Sequence, residues 1–217
     1  PAEIRSIEAF NPGLNLSIGC RIDKFFGEKK KWGFTTGIRF ENKSMHTKAI
    51  VKNYNMAINQ TNQVVRPDGT IENIQVPYAG RWTGGVKTDY SQSFLTIPLT
   101  AAFKVSNRVR LNFGPYISAA LSRDFSGYAY DGYLRQDDPT GTKVIFEGDT
   151  HGDYDFSKSL RWFDWGMEVG CSWRAFKHLT VQGHLSWGLN DIFRPSFDTI
   201  TFNMYPIYLN VGFGYAF

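Results

Sequence analysis

Ten ionisable residues of this 217-residue chain sit beside strongly apolar neighbours in short alternating segments. They are Arg21, Asp23, Arg39, Glu41, Lys104, Arg110, Asp164, Glu168, Arg174 and His184. Charges of both signs on one face of a wall can line an ion path, move protons, or neutralise one another. Ionised groups persist away from water when paired and hydrogen-bonded. The residue types favour a paired, hydrogen-bonded plug, built chiefly from Arg21, Arg39, Glu41, Arg110, Glu168, Arg174 and His184. A path for ions or small solutes along the same face is the alternative. His184, flanked at every second position by Gln182 and Ser186, reads as a network member rather than a general base.

No motif with a defined reaction accompanies these charges. The chain has no GxSxG elbow and no HExxH pair. The run Asp149-Thr150-His151-Gly152-Asp153-Tyr154-Asp155 alternates carboxylates around a glycine, but it misses the calcium-loop spacing and its closing Glu. It reads as a solvated acidic loop. Asp198-Thr199-Ile200 resembles a short O-glycosylation pattern. Catalytic, cofactor and metal residues are therefore expected to be none, and the protein is expected not to be an enzyme. A site built from long-loop residues such as His46 or His151 is the enzymatic alternative.

The elements that must carry these charges repeat one design. Residues 14–22, 32–40, 95–105, 109–121, 165–173, 179–189 and 205–217 alternate apolar and polar with period two. Trp165, Met167, Val169, Cys171 and Trp173, for example, oppose Gly166, Glu168, Gly170, Ser172 and Arg174. Short links at 24–31, 106–108 and 176–178 alternate with long ones at 42–93, 123–161 and 190–203. The long links hold the turn signals Pro67-Asp68-Gly69, Asp131-Gly132, Asp138-Pro139 and Glu147-Gly148-Asp149. Placing Val105 opposite Val109, and Ala175 opposite Leu179, keeps the apolar stripes on one side.

Composition narrows the class. The chain is 42% hydrophobic and 16% aromatic, with 21 glycines, and its mean hydropathy is −0.32. There is no run of about 18 apolar residues, as a membrane helix would require. A net charge of +4 with no long basic block argues against nucleic acid as a partner. Two cysteines, Cys20 and Cys171, fall on apolar faces and are expected to be free.

A nearly pure apolar stripe with Trp and Tyr near strand ends, opposite a charged, glycine-rich stripe, fits a membrane barrel better than a soluble sandwich. The fold expected is all-β: a transmembrane antiparallel up-and-down β-barrel, one domain over residues 1–217, with short periplasmic turns and long extracellular loops. Seven strands are clear, and bacterial single-chain barrels have even numbers. Eight are thus expected in the intact protein, the first upstream of Pro1, with residues 1–12 as an outer loop. Seven, or an N-terminal strand within residues 2–10, is the fallback. Pro98, Pro115 and Pro206 fall inside predicted strands, and a paired bulge or a lipid-remote break is expected near Pro98 and Pro115, which lie at similar height on adjacent strands.

The terminal Phe217, preceded by Leu209, Val211, Phe213 and Tyr215, resembles the C-terminal signal read by the outer-membrane assembly machinery. Pro12-Gly13-Leu14-Asn15-Leu16-Ser17 resembles the opening of PorT-like outer-membrane β-barrel proteins of Bacteroidetes. Phe40-Glu41-Asn42-Lys43, Leu95-Thr96-Ile97-Pro98-Leu99, Gly114-Pro115-Tyr116 and Trp187-Gly188-Leu189-Asn190-Asp191 are similar to that family too. The resemblance spans nearly the whole chain. It implies an eight-stranded barrel in a Gram-negative outer membrane, a cleavable signal peptide, and lipid, lipopolysaccharide and the assembly machinery as partners. It brings no activity and no catalytic residue.

The long links are rich in tyrosine: Tyr54, Tyr78, Tyr90, Tyr128, Tyr130, Tyr133 and Tyr154. Such side chains suit recognition of a protein or glycan; equally, they suit packing of the loops into strand extensions above the membrane. The expected role is a non-enzymatic barrel with a plugged polar lumen. It would act through its outer loops as an interaction or accessory subunit, or in envelope integrity. A narrow pore and a lipid-modifying enzyme are the rivals.

Overall fold

In the computed structural model, residues 3–13, 15–65, 71–136, 141–148, 150–200 and 202–217 are described. The signals at Pro67-Asp68-Gly69 and Asp138-Pro139, together with Leu14 and Asp149, lie outside them. Ten strands form one antiparallel sheet: β1 (Glu3–Asn11), β2 (Ser17–Phe26), β3 (Trp32–Val65), β4 (Ile71–Lys104), β5 (Val109–Gln136), β6 (Lys143–Phe146), β7 (Gly152–Asp155), β8 (Phe163–Arg174), β9 (Leu179–Gly188) and β10 (Ile207–Tyr215). No helix among the described residues is long and apolar enough to cross a membrane.

Seven strands make the wall, in the order β2, β3, β4, β5, β8, β9, β10, and each coincides with one of the seven alternating segments. The alternation decides which way each face points. Outward lie Ile22, Ile38, Leu99, Leu111, Val169 and Leu185, all exposed. Inward lie Thr35, Thr96, Thr100, Ser118, Glu168 and Ser186, all buried. A soluble sheet would show the reverse. Two aromatic belts bound the outward stripe. Trp32, Trp173, Phe176 and Tyr215 lie toward the short turns, and Trp162, Trp165, Trp187 and Tyr205 toward the other end; all are exposed, as interfacial rings are.

The short turns have the expected register. Val105 N–H donates to the Val109 carbonyl at 3.1 Å, and Ala175 N–H to the Leu179 carbonyl at 3.0 Å. Gly27, at φ +77°, makes the β2–β3 turn in a conformation that glycine adopts without strain. Both cysteines are free and exposed on the outward face.

Three expectations are corrected. The links 42–93 and 123–161 are not mainly loops: β3 and β4 run 34 residues each and β5 runs 28. A tilted strand crosses a bilayer in about 9–11 residues, so more than half of β3 and β4 stands beyond the membrane. Residues 3–11 are likewise strand rather than loop. This β1 does not add a wall position; it continues β2 upward along the same neighbour, β3, from Asn11 opposite His46 to Glu3 opposite Lys52. Finally, no register shift occurs at Pro98 or Pro115, which pair in line with Tyr116 and Met167. Pro206 lies just before β10, where its carbonyl accepts the Gly188 N–H at 2.8 Å.

The irregularities occur higher up. β3 shifts register between Val51 and Tyr54, where Asn53 takes φ +54° and its N–H donates to Thr83 Oγ1 at 3.1 Å. β5 shifts opposite Ser93 and Phe94, skipping Leu121. Each extra residue inverts the alternation beyond it. In β3 the buried residues are odd-numbered up to Val51 and even-numbered at Met56 and Ile58. In β5 they pass from Tyr116 and Ser118 to Phe125 and Ala129. The inversion lets a polar interior below give way to an apolar core above.

The wall is antiparallel throughout, so β2 and β10, its two end strands, run in the same direction. Among the described residues each keeps one edge without a paired strand. In hydrocarbon an unpaired backbone group costs several kcal/mol.

Candidate functional site: the interior and its outer cap

The barrel interior carries a hydrogen-bonded chain of ion pairs. Nearest the short turns, Asp23 of β2 takes a short ion pair from Arg110 of β5 and a 2.6 Å hydrogen bond from Thr35 Oγ1. Arg21 Nε lies 3.5 Å from the same carboxylate, and its Nη1 donates to Ser172 Oγ at 2.9 Å and Gln182 Oε1 at 3.2 Å on β8 and β9. One layer higher, Arg39 of β3 bridges two carboxylates: Nε to Glu41 at 2.8 Å and Nη2 to Glu168 of β8 at 2.7 Å. Thr96 Oγ1 completes Glu41 at 2.8 Å, and Asn210 Nδ2 of β10 reaches it at 3.4 Å.

Above this layer sits Lys43, buried beside Glu41 at 3.8 Å. Its ammonium lies 4.9 Å from the Phe94 ring centre and 4.8 Å from that of Tyr208. A desolvated cation over aromatic faces gains up to about 2 kcal/mol. Tyr116 Oη donates to Asp164 at 3.1 Å nearby. Among the described residues these layers bring together Arg21, Arg39, Lys43 and Arg110 with Asp23, Glu41, Asp164 and Glu168, and Lys104 lies on the same inward phase opposite Arg110, its ammonium 3.8 Å from the Phe25 ring centre.

Of the sequence-predicted set, Arg21, Arg39, Glu41, Arg110 and Glu168 are brought together. Arg174 is not: it is exposed at the mouth beside the β8–β9 turn, with Lys104 and Arg108 near it. His184 faces the same interior, but its Nε2 is buried without a hydrogen-bond partner among the described residues. Lys43 was absent from the predicted set, although it continues the odd-numbered inward phase of Arg39 and Glu41. Leu209, Val211, Phe213, Tyr215 and Phe217, the residues that resemble an assembly signal, all point outward and are exposed.

The outer end is closed by a second, apolar core. Tyr90, Phe125, Phe156, Phe193 and Phe197 pack ring to ring, with Phe125–Phe193 centres 5.0 Å apart and Phe193–Phe197 4.6 Å apart. Arg161 Nε donates to the Phe193 carbonyl at 2.7 Å, and Arg123 Nη1 to the Leu160 carbonyl at 2.9 Å, binding the 157–160 turn and the 190–200 segment over the mouth. Higher still, Trp82, Leu134 and Phe146 are completely buried, and Trp82 Nε1 donates to the Gly85 carbonyl at 3.2 Å. At Gly132 a Cβ would come within 2.3 Å of the Thr83 carbonyl, so glycine is required where β5 shifts register against β4.

The tyrosines divide between the two roles left open by the sequence. Tyr90 and Tyr154 are buried in this core, and Tyr54 and Tyr78 pack against it. Burial pushes the Tyr54 phenol up to about 12 and raises that of Tyr154 as well. Tyr128, by contrast, lies on the opposite face with Tyr130 5.7 Å away, His151 5.5 Å away, and the Lys87 ammonium 5.3 Å from its ring. Burial and the neighbouring Glu8 carboxylate raise the Tyr130 phenol.

Among the described residues no group of three or more His, Cys, Asp or Glu is placed to hold a metal ion. Neither the curated proteins nor the solved structures contain a match to this chain. One family model does match, the outer membrane protein beta-barrel domain, over residues 1–194. An all-β antiparallel wall with apolar side chains outward is the architecture that this description requires. The chain belongs to the outer membrane protein beta-barrel domain family, and its place is the outer membrane of a Gram-negative bacterium.

Proposed function

We propose that this barrel is a non-enzymatic, non-conducting outer-membrane subunit that works through its outer extension. Its role is that of an interaction or accessory component, or a contributor to envelope integrity. The observation that carries the reading is the pairing of two closures. Ion pairs cross the interior, and an aromatic core lies over its outer mouth. Above that core, β3, β4 and β5 project a sheet whose outward face carries Tyr128, Tyr130 and Lys87. Half-exposed tyrosines beside charge offer contact area at little entropic cost, and a protein or glycan is the partner they suit. The order of motifs from Pro12 to Asp191 supports a PorT-like protein of Bacteroidetes.

Three measurements test this. In planar bilayers the purified protein is expected to give no steady single-channel steps; such steps would contradict the plug. In cells, a photo-crosslinking residue at Tyr128 or Tyr130 is expected to trap one reproducible partner, while the same residue at Leu99 traps only lipid. Equal yields at both places would contradict the recognition role. Lipid A from cells with and without the gene is expected to have the same mass spectrum, and an altered acyl or headgroup pattern would overturn the non-enzymatic reading.

A further inference from the structure

Charge is gathered at the short-turn end of the barrel. Segments 21–31, 104–110 and 172–180, which form the three short turns and the strand ends beside them, hold ten Lys or Arg against two carboxylates, Asp23 and Glu28. The whole chain carries only +4, so the remainder is net acidic. Inside the mouth at this end is a cavity of about 200 Å³, bounded by Lys104, Arg108, Arg110 and Arg174 around the buried hydroxyls of Ser172 and Thr180. Among the described residues no carboxylate lines it. The strand register drives these cations together. Lys104 and Arg110 are direct partners across β4 and β5, and the Arg174 N–H donates to the Arg108 carbonyl at 2.7 Å, bringing those two residues alongside each other. Like charges directly opposite in a sheet destabilise it. Arg110 is paired with Asp23, but shares that carboxylate with Arg21. The Lys104 ammonium lies over the Phe25 ring, 3.8 Å from its centre.

We propose that this mouth is an anion-binding site on the periplasmic side, and that its occupant is an acidic segment of a periplasmic protein. An anion relieves the repulsion between the adjacent cations, and a guanidinium fork matches a carboxylate through two parallel hydrogen bonds. The wall sets the direction of approach. The cavity lies on its inward side, whereas Trp173, between Ser172 and Arg174 in the chain, is exposed on the lipid face. A lipid headgroup would have to leave its leaflet to enter; a ligand from the aqueous periplasm enters along the barrel axis. The spread of charge sets the size. A lone phosphate would meet only the cations of the cavity, but exposed Lys24, Lys29, Lys30, Lys31 and Lys177 on the turns around it continue the same field. An extended chain of carboxylates satisfies both parts: one seats between Arg108 and Arg174, and its neighbours lie over the lysines.

This surface is independent of the outer tyrosine face, since the two lie at opposite ends of the wall and either can fail without the other. Its two parts have separate tasks. Long-range attraction raises the rate of encounter and falls with ionic strength, which is the work of the exposed lysines. Contacts through the forks of Arg108 and Arg174 govern dissociation.

The test uses the protein purified from outer membranes, as the cell processes it, held in nanodiscs of zwitterionic lipid. A fluorescent oligoglutamate peptide, read by anisotropy, is expected to bind, and to bind less as salt is raised. Arg108→Gln with Arg174→Gln is expected to weaken binding about tenfold or more, the loss of at least one charge-assisted contact. Both residues are exposed, so this variant is expected to keep the gel mobility of the folded barrel. Arg108→Lys with Arg174→Lys keeps the charge and removes the forks; it is expected to bind several-fold worse, through faster dissociation. Lys29→Gln, Lys30→Gln and Lys31→Gln together are expected to slow association instead. Absence of binding at low salt would overturn the site. A charge-keeping variant that binds like the wild type would reduce it to diffuse attraction and overturn it too. Displacement of the peptide by an equal concentration of inorganic phosphate would overturn the acidic-segment occupant, as would tighter binding to phosphatidylglycerol vesicles or to soluble cell-wall fragments.

Discussion

Arg39 of β3 donates to Glu168 of β8 at 2.7 Å, joining two strands that are not neighbours in the sheet. Both side chains are largely withdrawn from solvent, at 14% and 7% exposure. The bond crosses the interior, so the sheet is tied through its middle as well as around its wall.

Removing the cation from this layer leaves two carboxylates facing each other. Arg39→Met is expected to lower stability by about 3–5 kcal/mol, the usual consequence of breaking a buried pair from one side. The double variant with Glu168→Met is expected to lose less than the two singles combined. Urea midpoints in lipid vesicles measure both, and strict additivity would show that the two residues do not interact.

The lipid face predicts a different sensitivity. Leu99→Arg, near the middle of the outward stripe, is expected to cost about 2–4 kcal/mol, while Leu179→Arg beside a short turn is expected to cost about 0–1 kcal/mol. The same vesicle titration checks this. Equal costs at the two sites would mean that depth in hydrocarbon does not govern the stripe.

The outer core is separable from the wall. Trp82 is fully buried there, and Trp82→Ala is expected to cost about 3–5 kcal/mol within that core. Limited proteolysis should then cut β3–β5 above the membrane while the wall fragments stay protected. Wall strands cleaved at the same rate would contradict the separation.

Alkali should open the same core. Tyr54 is neutral up to about 12, against about 10 in an unfolded chain. A phenol raised on folding contributes stability that is intact below the unfolded value and is lost as pH climbs through the folded one. Tyrosinate absorbance is expected to rise in two stages: first the exposed tyrosines, then Tyr54 with Tyr154 as protease resistance of the extension fails between about pH 10 and 12. Complete ionisation before any loss of resistance would contradict this.

The wall was legible because a period of two at fixed phase is what a strand with one face in lipid must show. Residues such as Trp165 through Trp173 carry that signal without interference. The extension was not legible, because the bulges at Asn53 and Leu121 invert the phase, so that Met56 and Phe125 belong to a core whose alternation no longer matches the strand below. Lys43 keeps the inward phase of Arg39 and Glu41 and is hidden for a different reason: it lies just past residue 42, within the link 42–93 whose composition reads as loop. Arg174 shares the inward phase but sits too close to the β8–β9 turn to reach a carboxylate.

Everything turns on which way the aromatic and aliphatic stripe points. Single-tryptophan variants in vesicles of brominated lipid read this directly. Trp165, Trp173 and Trp187 are exposed on the outward face, whereas Trp82 is fully buried in the outer core. Strong quenching at the first three with none at Trp82 is the expected result; unquenched wall tryptophans, or a Trp82 quenched as strongly as they are, would contradict the account.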